Sequence, residues 1–357
     1  MSATVPGQPI VELRDVHVVH RTRGGGMFNR ERVYALTGAH LTVRAGETIG
    51  VVGESGCGKS TMAKVLVGLQ RPTSGTVSFA GTDVWSMSAA QRRERIGSGV
   101  GMVFQDPATS LNRRMPVRDI LRDPLDVHRR GTRTQREERV DELMALVGLP
   151  RSVADVLPSQ LSGGQRQRVS IARALALEPG LVIADEPTSA LDVSVRAQIL
   201  NLLLDLKDRL GLAMVFVSHD IQTVKRISDR VVTMYLGRIV EQAPAALLPE
   251  GARHPYTRAL FSATPGLLSP IDPIPLVGPV PLATRPPSGC PFRTRCWKAT
   301  DVCATELPPP ERDADSAGDH EFRCHHPVPA GSSNAELVEL ARAATGRTTP
   351  LHVEETA

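Results

Sequence analysis

Short apolar segments alternate with amphipathic ones over the first 250 residues of the chain. Residues 9–20 alternate between apolar and polar positions as a half-buried strand does, whereas GETIGVVG, LVIADE and AMVFVSHD contain the continuous apolar runs of buried strands. Residues 59–69 and 162–177 have helical spacing, as does VSVRAQILNLLLDLKDRLG, which ends at Gly211. This alternation predicts an α/β domain with a mostly parallel sheet covered by helices on both faces.

The pattern changes in two later regions. Residues 106–150 are rich in Arg, Asp and Leu at helical spacing and predict a helical subdomain, which we place over about residues 106–168. Nine prolines lie between Pro265 and Pro291, too many for a helix or an inner strand. We therefore expect a main domain over residues 1–250, an extension over 251–330 and a polar, flexible tail over 331–357.

The composition is that of an ordinary globular protein, with 41% apolar and 22% charged residues over 357 positions. A net charge of +4 gives no case for nucleic acid as a partner. No run approaches the roughly 18 uninterrupted apolar residues of a membrane span, and MSATVPGQPIVELRD has no apolar core of a secretory signal. We expect a cytosolic protein, where disulfides are rare and clustered cysteines indicate metal or redox chemistry.

The segment GESGCGKS, Gly53 to Ser60, fits the phosphate-loop pattern and lies between an apolar strand and a helix, as that pattern requires. Glycines let backbone N–H groups turn towards phosphates, and the following helix adds the positive end of its dipole. Lys59 is then expected to reach the β- and γ-phosphates, and the Ser60 hydroxyl to bind Mg²⁺. The alternative is a glycine-rich turn before a helix. The predicted nucleotide contacts here are Gly53, Glu54, Ser55, Gly56, Cys57, Gly58, Lys59, Ser60 and Thr61.

LVIADE ends in two carboxylates, Asp185 and Glu186, where a predicted strand leaves the sheet. In folds of this kind that point lies beside the phosphate loop. We expect Asp185 to hold Mg²⁺ directly or through water, and Glu186 to polarise the attacking water as a general base. The alternative is a pair of solvated carboxylates without a role.

Five motifs follow one another between residues 53 and 219: the phosphate loop, VFQDP, LSGGQRQR, PTSALD and VSHD. In this set and order the chain resembles ATP-binding cassette ATPases. The resemblance implies an α/β nucleotide-binding domain with a mostly parallel sheet core, an N-terminal antiparallel β subdomain and a helical subdomain. In LSGGQRQR, the residues Ser162, Gly163, Gly164 and Gln165 open a helix, so that hydroxyl, backbone donors and dipole make a second anion site.

The resemblance also assigns roles to single residues. Gln105 is expected to contact Mg²⁺ and the attacking water, and Asp192 to close the D-loop across a dimer. His219 is expected to hold the γ-phosphate, although a lone His after an apolar strand is more often structural. In this family two ATP molecules lie between two cassettes, so a chain with one phosphate loop needs a partner cassette, either a paralogue or a second copy.

The residue that stacks on adenine is less distinct in the sequence. His20, Phe28 and Tyr34 all precede the phosphate loop, and the glycine-rich segment RTRGGGMFNRER blurs the register between them. We favour the region of His20.

The C-terminal third resembles one subgroup of this family. RHPYTRALFSATP, the Pro-rich run, the cysteines, MYLGRIVEQ and SVRAQILNLLLDLK are similar to ATPases of dipeptide and oligopeptide importers. The resemblance implies a peripheral subunit at the cytoplasmic face of the membrane, bound to two permease subunits, with an extracytoplasmic peptide-binding protein in the full complex. Nucleic acid is not an expected partner. Nickel or oligosaccharide import, efflux and a non-transport role are the alternatives.

Four of the five cysteines lie in the extension, at Cys290, Cys296, Cys303 and Cys324. Their spacing is neither the C-x-x-C pairing of structural zinc nor the tight ferredoxin run. Four thiols nevertheless suit one soft metal centre, whose negative charge the neighbouring basic residues could offset. The resemblance favours a [4Fe–4S] cluster, because some peptide-importer ATPases carry one in this extension. Zinc, and free or disulfide-paired cysteines, are the alternatives.

Overall fold

The structure is a computed structural model that describes residues 7–23, 30–263, 272–313 and 319–345. The chain divides into two units, Met1–Ile239 and Val240–Ala357. The second unit thus begins before residue 251, where the sequence analysis placed the start of the extension. Across the described part of the chain, no helix combines the length and the apolar character that a membrane crossing requires.

The first unit contains nine described strands and eight described helices, in the alternating order that the sequence predicts. The strands are β1 (Pro9–Arg23), β2 (Arg30–Arg44), β3 (Thr48–Val52), β4 (Ser74–Phe79), β5 (Thr82–Asp83), β6 (Val100–Val103), β7 (Leu181–Asp185), β8 (Ala213–Val217) and β9 (Arg230–Tyr235). The helices are α1 (Lys59–Leu66), α2 (Ala89–Gly99), α3 (Pro107–Ser110), α4 (Val117–Val127), α5 (Arg133–Leu146), α6 (Gly163–Ala174), α7 (Val193–Leu210) and α8 (Ile221–Ile227).

Within this unit the strands form two layers. Strands β2, β1, β4 and β5 pair antiparallel in that order. Strands β9, β3, β8, β7 and β6 lie side by side in that order, and every neighbouring pair is parallel. Every residue of β3, β7, β8 and β9 is buried, as expected of parallel strands covered on both faces. The prediction of a parallel core with an antiparallel β subdomain is therefore confirmed.

The core of the unit joins the antiparallel layer to the parallel one. Leu13, Leu36, Ile49, Met62 and Leu66 are completely or almost completely buried in one cluster. Met62 and Leu66 are four residues apart on α1 and therefore lie on one face of that helix. The packing of α1 between the two layers sets the position of the loop that precedes it.

The region predicted to be a helical subdomain contains α3, α4 and α5. Helix α5 begins with a capping box, in which the Thr132 hydroxyl accepts from Gln135 N and the Gln135 side chain accepts from Thr132 N. Arg122 on α4 donates to Glu137 on α5 at 2.6 Å and to Asp126 at 3.0 Å. The ion pair between Arg122 and Glu137 thus joins α4 to α5.

The second unit is held by a buried polar network. Its described elements are β10 (Arg238–Pro244), α9 (Pro255–Ser262), α10 (Val302–Thr305), β11 (Glu311–Arg312), β12 (Glu321–Phe322) and α11 (Asn334–Thr345). Glu241 accepts a hydrogen bond from Arg253 N at 2.6 Å, and its carboxylate lies 2.7 Å from His320 Nε2. Glu241 and His320 are each 1% exposed, so each must be paired to be tolerated there. Burial lowers the pKa of the neighbouring His254 to about 4.

Residues 334–345 differ from the flexible tail expected over 331–357. They form α11, and Leu337, Val338 and Ala341 on this helix are buried with Ala259 and Ile274. These three residues have positions i, i+1 and i+4 and therefore lie on one helical face. So few apolar positions in a polar segment did not indicate a helix in the sequence. Positions 346–357 lie outside the described residues.

Candidate functional site

The predicted catalytic residues follow four neighbouring strands. The phosphate loop follows β3, and Gln105 follows β6. Asp185 is the last residue of β7, Glu186 comes directly after it, and His219 follows β8. Because these strands are parallel and adjacent, their carboxyl ends share one edge of the sheet. The topology thus gathers residues that are more than 150 positions apart in the chain.

The phosphate loop depends on its glycines. Gly53 and Gly58 have φ of 149° and 104°, in the region that L side chains rarely adopt. A Cβ on Gly53 would also collide with the carbonyl of Met234, and one on Gly58 with the carbonyl of Ala35. Gly58 is the N-cap of α1 and offers no side-chain cap. The first N–H groups of α1 are therefore left for a ligand, and a phosphate suits them.

Lys59 and Ser60 are held by hydrogen bonds at the start of α1. Lys59 is 7% exposed, and its ammonium donates to Gly53 O at 2.7 Å and to Glu54 O at 3.1 Å. Ser60 Oγ donates to Asp185 Oδ1 at 3.2 Å. Burial raises the pKa of Asp185, which the hydrogen bond from Ser60 partly opposes. A buried carboxylate beside a hydroxyl fits the oxygen ligands of Mg²⁺, whose charge would offset the cost of burial.

Gln105 and His219 converge on Glu186. Gln105 Nε2 donates to Glu186 Oε2 at 3.3 Å, and His219 Nδ1 lies 3.2 Å from the same oxygen. Glu186 has a positive φ of 46°, rare for a residue with a side chain, and its N–H donates to Val217 O at 2.9 Å. Because this hydrogen bond holds the end of β7 against β8, the Glu186 carboxylate turns away from the sheet. It then faces the loops that follow the neighbouring strands.

Ser162–Gln165 and Asp192 form a second group. Ser162 Oγ accepts from Gln165 N at 3.2 Å, and the Gln165 side chain accepts from Ser162 N at 2.9 Å. Asp192 caps α7 by accepting from Val195 N at 2.9 Å, and hydrogen bonds from Val195 and Ser194 lower its pKa. Ser162 and Asp192 thus each cap the helix that they begin. A Cβ on Gly164 of α6 would lie 2.7 Å from Cγ1 of Val195 on α7. The need for a small residue under α7 is a packing constraint that sequence reasoning missed.

The remaining predicted nucleotide contacts belong to the phosphate loop, the first turn of α1 and the antiparallel strands β1 and β2. Cys57 is buried, and burial raises the pKa of its thiol, 4.0 Å from the Lys59 ammonium. His20 is half-buried on β1, opposite Val33 of β2, and Tyr34 is half-buried opposite Val19. Phe28, the third candidate for adenine stacking, lies outside the described residues. Glu54, Ser55, Gly56 and Thr61 complete the loop and the first turn of α1 at its surface.

A cleft of about 760 Å³ opens beside Gln105. All three predicted Mg²⁺ ligands, Ser60, Gln105 and Asp185, are on its wall. Its far wall comes from α3, α4 and the end of α6, including Ser110, Asp123 and Arg173. The cleft therefore connects the edge of the sheet to the helical region.

The four cysteines of the second unit lie in one region without forming a metal site that the geometry supports. Burial raises the pKa of Cys296 to about 12, and repulsion from Cys324, Cys290 and Cys303 contributes. Burial likewise raises the pKa of Cys324 to about 12. Cys290 N donates to Cys303 O at 2.8 Å. Within the described ranges, however, no group of three or more His, Cys, Asp or Glu side chains is placed to hold a metal ion. The expected Cys₄ centre is not confirmed.

Two family models and many known proteins match this chain. Residues 36–189 match the model described as ABC transporter, and residues 240–303 the one described as oligopeptide/dipeptide transporter, C-terminal region. The oligopeptide transport ATP-binding protein AppF of Bacillus subtilis is 43% identical over 325 residues, 89% of this chain and 97% of AppF. The dipeptide transport ATP-binding protein DppF of Escherichia coli is 45% identical over 311 residues, 86% and 92% of the two chains. Among solved structures, the dimeric ATP-binding cassette MJ0796, in a post-hydrolysis state bound to ADP and Pi, has a TM-score of 0.60 at 31% identity, covering 66% of this chain and 99% of that one.

We expect Gly164→Ala to lower the free energy of unfolding by about 1–3 kcal/mol, because the new methyl group would meet the stiff Val195 side chain. Gly163→Ala is the matched control, since a Cβ there would lie an ordinary 3.4 Å from Leu191. Its effect should stay within about 0.5 kcal/mol. Thermal unfolding of both variants measures this. Equal losses would show that packing under α7 is not what requires Gly164.

Proposed function

We propose that this chain, which belongs to the ATP-binding cassette transporter family as an ATP-hydrolysing subunit, powers the import of dipeptides or oligopeptides. The observation that carries the ATPase part is the convergence of Gln105 and His219 on Glu186, beside the Ser60–Asp185 pair. The peptide part rests on the C-terminal match over residues 240–303 and on relatives such as AppF and DppF.

The phosphate loop binds the triphosphate of ATP. Backbone N–H groups at the start of α1 take the phosphate oxygens, because Gly58 provides no competing side-chain cap. Lys59 exchanges its bonds to the Gly53 and Glu54 carbonyls for the β- and γ-phosphates. Ser60 and Asp185 would hold Mg²⁺, which neutralises phosphate charge when bound.

Glu186 acts on the attacking water. Its carboxylate is 17% exposed and lies at the sheet edge, so it can accept a proton without leaving the site. Gln105 orients the water from one side and His219 contacts the γ-phosphate from the other. Both side chains contact Glu186 in this structure, so binding of ATP must redistribute these hydrogen bonds.

A second cassette completes the site. The signature segment Ser162–Gln165 and the D-loop residue Asp192 serve the ATP bound to a partner chain, which is either a paralogue or a second copy. In support, the matching cassette MJ0796 is dimeric. The N–H groups of α6 that the Ser162–Gln165 capping box leaves unpaired supply the donors for the partner's γ-phosphate.

The membrane partners are two permease subunits, which place this chain at the cytoplasmic face of the membrane. We infer that residues 106–121 line the groove that receives a short cytoplasmic helix of a permease. Asp106, Thr109 and Ser110 of this stretch line the 760 Å³ cleft beside Gln105. An extracytoplasmic peptide-binding protein delivers the cargo, because a subunit of this kind does not itself touch it.

Reconstitution tests the cargo and its direction. Proteoliposomes containing this chain, its partner cassette and the permeases should accumulate labelled peptide only with ATP and the binding protein. Uptake of nickel or an oligosaccharide instead, or outward transport, would assign one of the alternative functions. Salt-dependent DNA binding would indicate a non-transport role.

We propose that the four thiols of the second unit hold a structural [4Fe–4S] cluster. In support, Cys290 N donates to Cys303 O at 2.8 Å, and repulsion from the other cysteines contributes to the raised pKa of Cys296 and of Cys324. Burial lowers the pKa of Lys298, and Cys324 and Cys296 act in the opposite direction, which supports a basic residue beside these thiols. Arg293, Arg295 and Arg323 are the other basic residues near the cysteines in the sequence. Ligation would stabilise a Pro-rich segment that forms few regular elements.

Glu186→Gln should retain ATP binding and lower hydrolysis by about 10²–10⁴-fold, because an amide keeps the shape of the carboxylate but takes no proton. Lys59→Ala should instead weaken ATP binding itself. Steady-state ATPase rates of the assembled complex and nucleotide titrations separate the two effects. Hydrolysis by Glu186→Gln at the parental rate would remove the role given to Glu186.

Charge reversal at Arg113 and Arg114 should lower transport roughly several-fold more than it lowers the basal ATPase rate of the isolated chain. Arg113 is exposed and bonds only locally, donating to Ala108 O at 3.0 Å. Arg133→Glu, at an exposed arginine outside this stretch, is the matched control and should change neither rate. Equal losses of transport and ATPase activity would indicate misfolding rather than lost docking.

Anaerobically purified protein should be brown and absorb broadly at about 400 nm, as iron–sulfur thiolates do. Cys296→Ser should lose the colour while retaining ATP binding. Cys57→Ser is the control and should keep the colour, because Cys57 lies in the phosphate loop. One equivalent of zinc in colourless protein would favour the zinc alternative, and protein without either metal would refute the site.

A further inference from the structure

Arg173 connects the helix that begins with the signature segment to the segment that carries Gln105. It lies in the last turn of α6. Its Nη1 donates a hydrogen bond to Ser110 O at 2.6 Å, and its guanidinium lies over the Phe104 ring, 5.9 Å from the centroid. Phe104 directly precedes Gln105, and Ser110 is the last residue of α3. One cation thus contacts the chain on both sides of Gln105.

The surroundings of Arg173 make this link strong. Burial lowers the pKa of its guanidinium, and Asp123 on the same cleft wall acts in the opposite direction. Arginine stays charged even so, and a hydrogen bond from a cation in partly buried surroundings is stronger than one between neutral groups. The planar guanidinium can also bond a carbonyl and stack on a ring together, which an ammonium cannot.

Other side chains of this region bond locally. Asp106 caps α3 by accepting from Ala108 N at 2.8 Å, and Arg113 returns to Ala108 O. In the described part of the chain, Arg173 makes the only side-chain hydrogen bond from α6 to residues 104–115. Helix α6 also packs on β6 and α3, and Arg173 adds to this packing a specific hydrogen bond to the segment that carries Gln105.

We propose that Arg173 is a positioning residue that couples the signature segment to Gln105. This inference rests on the functions proposed above for Gln105, Glu186 and the signature segment. One chain serves two ATP molecules, its own through Gln105 and its partner's through the first turn of α6. Because α6 is one continuous helix from Gly163 to Ala174, a shift at its start moves Arg173 at its end. Arg173 then sets the position of Gln105, whose amide lies 3.3 Å from Glu186.

A double-mutant comparison in the assembled transporter tests the coupling. Arg173→Ala should lower kcat for ATP about tenfold, the size expected for a hydrogen bond from a charged group, with KM changing less than about twofold. Gln105→Ala combined with Arg173→Ala should hydrolyse ATP no more slowly than Gln105→Ala alone, because the loss passes through Gln105. Arg173→Lys should recover part of the rate, since it keeps the cation.

Arg139→Ala is the matched control. Arg139 Nη2 donates to Leu175 O at 3.3 Å, so it also holds the end of α6, but it bonds to Glu142 and Glu178 and not to the Gln105 segment. Its kcat should stay within about twofold of the parent. An equal loss in Arg139→Ala would show that Arg173 only anchors the helix and would overturn the proposal.

Four further results are decisive. Losses that multiply in the double variant would mean that Arg173 acts independently of Gln105, which refutes the coupling. If Arg173→Ala fails to fold, Arg173→Lys and Phe104→Leu are compared in its place, and parental kcat in both would also refute it. A parental kcat in Gln105→Ala would instead remove the function proposed for Gln105. A parental kcat in the Arg173 variants, together with an inactive Gln105→Ala, would refute this inference alone.

Discussion

Parallel pairing of β3, β8, β7 and β6 is the constraint on which the chemistry of this chain depends. Strands buried on both faces admit almost no polar side chains, so polar residues are confined to the ends of the strands. Asp185 shows the limit, because it is the last residue of β7 and is 5% exposed. The same burial that raises its pKa makes a cation beside it favourable. The candidate site therefore lies at the carboxyl ends of these apolar strands.

The two helix N-termini that are proposed to bind phosphate differ in their caps. Gly58 opens α1 without a side-chain hydrogen bond, whereas Ser162 and Gln165 close a capping box on α6. The start of α1 therefore has backbone N–H groups free for a phosphate bound by this chain's own loop. The start of α6 is stabilised by its capping box even when no partner chain is bound. This difference suits a protein that holds one nucleotide with its own loop and contacts another on a second chain.

The second unit is built on a different principle. Few of its residues lie in regular elements, and its interior includes Glu241 and His320, both almost fully buried. Such a pair contributes little net stability, but removal of either partner would leave a buried polar group uncompensated. It therefore specifies one arrangement of β10 and β12 in a segment whose prolines restrict regular pairing.

The sequence by itself determined the alternating α/β order, the phosphate loop and the strand-end carboxylates, because each depends on a local pattern that neighbouring residues impose. Gly53 and Lys59 are of this kind, since backbone freedom and charge are properties of the residue type. The tertiary structure decided which distant groups meet: Gln105 and His219 on Glu186, Val195 over Gly164, and Arg173 beside Ser110. The burial of Leu337 and Val338 on α11 belongs here too. These contacts follow from the order of strands and the packing of helices, which no local spacing encodes.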